Sequence, residues 1–154
     1  MTLTAGTLEQ ALQTLGELLD DRGHPAEVVA IGGGSLLLTG FIERPTKDLD
    51  LVAIVEDGEY TTAKPLPDHL AAAAKDVAAA LGLADYWFNG GPTELLDLGL
   101  PKGFASRVET RTYGALTIHI AGRFDQICFK LYAAVDQGPD SKHFADLERL
   151  QPSG

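Results

Sequence analysis

Residues 31–55 read IGGGSLLLTGFIERPTKDLDLVAIV, and this stretch decides the fold. The β-rich run EVVAIG, Glu27 to Gly32, enters it as a buried strand bounded by turn signals. Three glycines and Ser35 follow, then a short helix over Ser35 to Thr39 that Gly40 ends. A second strand runs from Asp48 to Glu56, with Leu49, Leu51 and Ala53 turned to the core and Asp48 and Asp50 to the opposite face. Two carboxylates that close repel each other, so either water or a cation must separate them.

Outward from this centre the periodicity alternates between helix and strand. Thr7 to Asp21 reads as an amphipathic helix with a Thr7/Gln10 capping box. Leu8, Ala11, Leu12, Leu15, Leu18 and Leu19 share one face, and Gly23 closes it. After the strand, DGEYTTAKPLPD is a proline-containing loop without period, and DHLAAAAKDVAAALG is an alanine-rich helix stopped at Gly82. DYWFNGGP reads as a brief strand running into a turn, with Trp87 and Phe88 as core residues. TELLDLGL has helical spacing and is broken by Pro101, Lys102 and Gly103. RVETRTYGALTIHI gives two strands around Tyr113 and Gly114. RFDQICFKLYAAVD is a helix with Phe124, Ile127, Leu131 and Ala134 toward the core, and DSKHFADLERL is a short final helix stopped by Pro152. The fold class is therefore α/β (α+β): a mixed sheet flanked by helices, with a β-hairpin and C-terminal helices, in a single domain over residues 1–154.

Composition narrows the function classes. The net charge is −10 and there is no basic run, so nucleic acid binding through a phosphate groove is not expected without a metal, a local patch or a partner. No apolar run approaches the roughly 20 residues that span a bilayer, and the N-terminus has neither a basic flank nor a signal-like core. One cysteine, Cys128, precludes an internal disulfide; its apolar helical surroundings mark it as a small buried hydrophobe. These features point to a cytoplasmic protein without membrane contact.

The glycine turn has two readings: a tight strand-to-helix turn, or a phosphate cradle in which backbone N–H groups approach a ligand and Ser35 donates its hydroxyl. The spacing fits neither a Walker loop nor a dinucleotide fingerprint. Asp48 and Asp50 have two readings as well, a solvated strand end or a divalent-ion site. Their Cα atoms are roughly 7 Å apart on one strand face, so both carboxylates can converge on one hard cation such as Mg²⁺.

Turn and pair together resemble the nucleotidyltransferase superfamily of the DNA polymerase β type. Its signature, a Gly-Gly/Ser turn on a short helix followed by Asp-x-Asp on the next strand, is met here by Gly33, Gly34 and Ser35, then Asp48 and Asp50. The string RPTKDLDL, Arg44 to Leu51, is similar to the narrower group of AbiEii/MenT-like toxin nucleotidyltransferases and their small relatives. This resemblance implies a mixed-sheet nucleotidyltransferase fold. It implies Mg²⁺ or Mn²⁺ on Asp48, Asp50 and Asp146, and nucleotide contacts from Gly33, Gly34, Ser35, Arg44, Thr46 and Lys130. Asp48, Asp50, Lys130 and Asp146 would be the catalytic set. Members usually place a third carboxylate on a later strand, where LTIHI offers His119; Asp146 from the final helix is the expected substitute. The chain runs only a few residues past Asp146, so no appended helical domain is expected.

Each of these residues also has a plainer role. Lys130 can be a surface lysine on its helix, and Lys142 and Asp146 a solvated i,i+4 pair. Arg44 serves phosphate or structural pairing, Thr46 strand entry, and His119 and His143 packing or surface contacts. The function expected first is a minimal Mg²⁺-dependent nucleotidyltransferase moving NMP from a nucleoside triphosphate to an RNA (tRNA) or protein acceptor, in the manner of a toxin module. The alternative is a non-catalytic nucleotide- or partner-binding domain of the same fold, such as half of a toxin–antitoxin pair. A phosphotransferase using the same turn and ion is the third class.

Overall fold

The computed structural model describes residues 2–137. Helix α1 (Ala5–Arg22) opens the chain, and Thr4 caps it by accepting a hydrogen bond from the Thr7 backbone N–H. The cap thus lies three residues before the Thr7 expected from the capping-box pattern, and Gly23 ends the helix as expected. Strand β1 (Ala26–Ile31) leads into helix α2 (Gly32–Leu38), then β2 (Leu49–Glu56) and β3 (Glu59–Thr61). Helix α3 (Asp68–Leu81), the two-residue strand β4 (Phe88–Asn89), a 3₁₀ turn (Gly91–Glu94) and two single-turn helices, α4 (Leu95–Leu98) and α5 (Phe104–Arg107), follow. The hairpin β5 (Glu109–Tyr113) and β6 (Leu116–Ile120) leads to helix α6 (Arg123–Gln137).

The strands form one six-stranded mixed sheet in the order β3-β2-β1-β6-β5, with β4 also paired to β2. Strands β1 and β2 are antiparallel, β1 and β6 parallel, and β5 and β6 antiparallel. The mixed α/β class and the hairpin around Gly114 match the sequence expectation. On one face, Leu8, Leu12 and Leu15 of α1, Leu70 of α3 and Trp87 ahead of β4 are buried with Leu49, Leu51, Ile118 and Ile120. On the other, Phe104 and Phe129 cover Val29, Ile31, Val52 and Ala53. Trp87 and Phe88 are core residues, as expected.

Further differences from the sequence reading lie in the β2–β3 connection, the β1–β2 register and α6. Residues 57 and 58 close a β2–β3 hairpin inside the segment expected to be an irregular loop. Asp57 and Gly58 both hold positive φ (52° and 79°), the conformation that Asp-Gly supplies to a two-residue hairpin turn. Second, the β1–β2 register slips between Val29 and Ala30, a bulge that places Val52 and Ala53 together on the α6 side. Ala53 therefore lies on the face opposite Leu49 and Leu51, where simple alternation does not put it.

The third correction concerns α6. Phe124 and Leu131, expected to face the core, are 57% and 50% exposed. The buried face carries Asp125, Gln126 and Phe129 instead. Its polar members are buried because distant residues satisfy them. Arg107 grips Asp125 with two hydrogen bonds, Nε to Oδ2 at 3.0 Å and Nη2 to Oδ1 at 2.6 Å. The side-chain hydrogen bond to Asp125 is the main cause that pushes the Arg107 pKa up. Cys128 on the same helix is half-buried rather than fully enclosed, and burial pushes its thiol pKa up.

Candidate functional site

The sheet brings the glycine turn and the two aspartates to one end. Strand β1 finishes at Ile31, whose register partner on the antiparallel neighbour is Asp50. The chain then turns at Gly32, with φ of +83°, a conformation that side-chain-bearing residues rarely adopt. The glycines are not a free-standing loop: they form the first turn of α2, which begins three residues earlier than expected. A Cβ on Gly32 would stand 3.4 Å from Asp50 Oδ2, and one on Gly33 would stand 3.5 Å from Thr46 Oγ1. At Gly34 a Cβ would fall 2.5 Å from the carbonyl oxygen of Asp48, so only glycine lets α2 lie this close to the start of β2.

A cavity of about 500 Å³ opens here, within the size range of small-molecule sites. Gly32 and Gly33 form its floor, and Asp48 and Asp50 stand on one wall. Arg44 and Lys47 bring two cationic side chains. Ile31, Leu95 and Phe129 supply an apolar side. The segment that carries Arg44, Thr46 and Asp48 is stapled by the N-terminus: Leu3 and Thr46 exchange backbone hydrogen bonds of 2.6 and 3.0 Å.

Two amide side chains that the sequence reading did not single out complete the arrangement. Gln126, 1% exposed, accepts from the Gly32 N–H at 3.0 Å and donates to Ser35 Oγ at 2.7 Å. Ser35 in turn donates to the Gly32 carbonyl at 2.8 Å and is fully buried. The hydroxyl expected to meet phosphate is thus turned inward, where it ties the glycine turn to α6. Asn89, in register beside Asp50 on β4, donates to Asp50 Oδ1 at 3.1 Å. A turn-forming Asn-Gly-Gly is the only local signal for Asn89, and nothing local marks Gln126, whose Gly32 and Ser35 partners lie about ninety residues away.

Of the residues expected at the site, Gly33, Arg44, Thr46, Asp48 and Asp50 line one cavity, whereas Gly34 packs on the backbone of Asp48 and Leu49 and does not line it. Lys130 belongs to α6, next to the cavity-lining Phe129. Asp146, Lys142 and His143 lie outside the described residues. His119 stands on β6, two strands from Asp50, where Nε2 meets Glu27 Oε2 at 2.5 Å and Nδ1 meets Thr110 Oγ1 at 2.8 Å. It does not line the cavity.

The donor set fits one hard divalent cation. Two carboxylates on one wall offer oxygen ligands, and the remaining positions would fall to water and ligand oxygens. Among the described residues no cluster of three or more His, Cys, Asp or Glu could hold an ion unaided. Compared with known proteins, the chain matches no family model, no curated protein and no solved structure.

Proposed function

We propose that the cavity binds a nucleoside triphosphate with Mg²⁺ or Mn²⁺, and that the chain is a minimal nucleotidyltransferase acting on a hydroxyl of an RNA or protein acceptor. The observation that carries this reading is the convergence of Asp48, Asp50, Arg44 and the Gly32–Gly33 backbone on one cavity with an apolar side. In formal charge, Arg44 and Lys47 balance Asp48 and Asp50, while the whole chain carries −10. A bare triphosphate would meet net repulsion, whereas one carrying a divalent cation brings its own partner for the two carboxylates.

In this reading Asp48 and Asp50 hold the ion, and Arg44 and Lys47 meet phosphate oxygens. The glycine floor lets the phosphates approach the backbone closely. Ile31, Leu95 and Phe129 exclude water from the sugar–base end. The chemistry such an ion supplies is neutralisation of triphosphate charge and orientation of the α-phosphorus for in-line attack. The acceptor oxygen forms a bond to that phosphorus as the bond to the bridging oxygen breaks, and pyrophosphate leaves with the electron pair. The acceptor proton passes to a neighbouring carboxylate or to water. No covalent nucleophile is required, in keeping with a Cys128 thiol whose raised pKa favours the protonated form.

The test is incubation with each labelled nucleoside triphosphate, Mg²⁺ and total RNA or cell protein. Transfer of label to an acceptor is expected. It should fall at least a hundredfold in Asp48→Asn, since an ion ligand is lost. Absence of transfer with every triphosphate and acceptor, at a concentration where nucleotide saturates the chain, would favour the second reading, a non-catalytic nucleotide-binding domain. That reading has its own support: among the described residues the cavity holds two carboxylates and not three.

A further inference from the structure

Strand β4 is two residues long, yet it pairs in parallel with the first two residues of β2, setting Phe88 beside Leu49 and Asn89 beside Asp50. The Asn89 amide is used on both sides. Its oxygen accepts from the Gly91 N–H at 2.8 Å, and its nitrogen donates to the Tyr86 carbonyl at 3.0 Å and to Asp50 Oδ1 at 3.1 Å. Its orientation follows from these partners. A flipped amide would set its NH₂ against the Gly91 N–H and its oxygen against two acceptors, so the donor must face Asp50.

The turn that holds Asn89 is itself fixed. A Cβ on Gly90 would lie 2.1 Å from the Ala63 carbonyl oxygen, so Gly90 packs directly on residue 63. The Ala63 N–H donates to Thr93 Oγ1 at 2.9 Å, anchoring the far side of the turn. Asn89 is therefore a neutral donor, rigidly presented, directly beside Asp50.

We infer that Asn89 is a positioning residue: its N–H fixes one oxygen of Asp50, so the carboxylate is presented to a cation in a single orientation, and its neutral amide places no anionic oxygen beside Asp50. This rests on the ion-binding reading above. Outer hydrogen bonds of this kind hold an ionic ligand in place, and their loss typically weakens metal binding by about 10- to 100-fold.

The test uses Tb³⁺, a hard oxygen-seeking probe, excited through Trp87, the single tryptophan of the chain. The Trp87 carbonyl accepts from the Leu49 N–H at 2.6 Å, so sensitised emission reports ions near the start of β2. Asn89→Ala should raise the Tb³⁺ dissociation constant about tenfold or more. Asn89→Asp retains an acceptor for the Gly91 N–H and sets a carboxylate oxygen beside Asp50 Oδ1. Two such oxygens can chelate, so this variant should bind more tightly than wild type. Unfolding curves verify that both variants are folded, and Asn89→Asp keeps the test valid if Asn89→Ala is not. Binding that Asp50→Asn removes but Asn89→Ala leaves within twofold of wild type overturns the role of Asn89 alone. Asn89→Asp binding no better than Asn89→Ala overturns it as well. Wild-type emission unaffected by Asp50→Asn overturns both this inference and the ion site.

Discussion

Gly34→Ala is expected to destabilise the protein by about 3 kcal/mol and to disable the cavity at the same time. A Cβ there would fall 2.5 Å from the Asp48 carbonyl oxygen and 3.1 Å from Leu49 Cα, both backbone atoms that no rotamer change can move aside. Relief requires α2 to lift from the start of β2. That movement separates the glycine floor from Asp48 and strains the β1–β2 pairing at Ile31 and Asp50. Gly6 is the control. It lies in α1 with nothing within 4 Å of an added Cβ, so Gly6→Ala should be neutral or stabilising by up to about 1 kcal/mol. Thermal unfolding separates the two: roughly a 10 °C loss for Gly34→Ala, and no loss for Gly6→Ala. Equal melting temperatures would mean that α2 and β2 are not in contact as described.

The second large effect belongs to Gln126→Leu, which keeps approximate volume and removes only hydrogen-bonding capacity. The Gly32 N–H would lose its acceptor and Ser35 Oγ its donor, in a place where both Gln126 and Ser35 are buried. Each group left unsatisfied costs about 1–3 kcal/mol, so a total near 3 kcal/mol is expected from the denaturant midpoint. Nucleotide affinity should fall as well, because this amide links α6 to the floor of the cavity. Gln126→Glu retains the acceptor for Gly32 and should recover part of the stability. A Gln126→Leu variant as stable as wild type would show that the network contributes nothing net.

How much of this could be read from the chain depends on how local each cause is. Asp48 and Asp50 on one wall follow from a two-residue period, and Gly32 to Gly34 beside them from a strand ending in a turn. Both features lie within twenty residues of sequence. The bulge at Val52 and Ala53 depends on how β1 and β2 pair, and alternation alone cannot reveal it. The β2–β3 hairpin carries a local signal, Asp57-Gly58, but the prolines downstream of it give the whole segment the composition of an irregular loop. In α6 the apolar stripe through Phe124 and Leu131 was a misleading guide. The helix turns its polar Asp125 and Gln126 inward because Arg107, Gly32 and Ser35 satisfy them across the fold. Asn89 was hidden in the same way, as a turn residue whose partner Asp50 lies 39 positions earlier.

The proposed site for a nucleoside triphosphate carried with a divalent cation is built from Asp48, Asp50 and the glycine turn. Its most direct test is calorimetric titration of each triphosphate with Mg²⁺ into wild type and into the Asp48→Asn/Asp50→Asn double variant. One-to-one, Mg²⁺-dependent binding of at least one triphosphate to wild type is expected. That binding should be lost in a double variant that still unfolds cooperatively, because neutralising two neighbouring like charges leaves the fold intact. Binding of equal strength in both proteins, or no binding of any triphosphate to wild type at millimolar concentration, would contradict it.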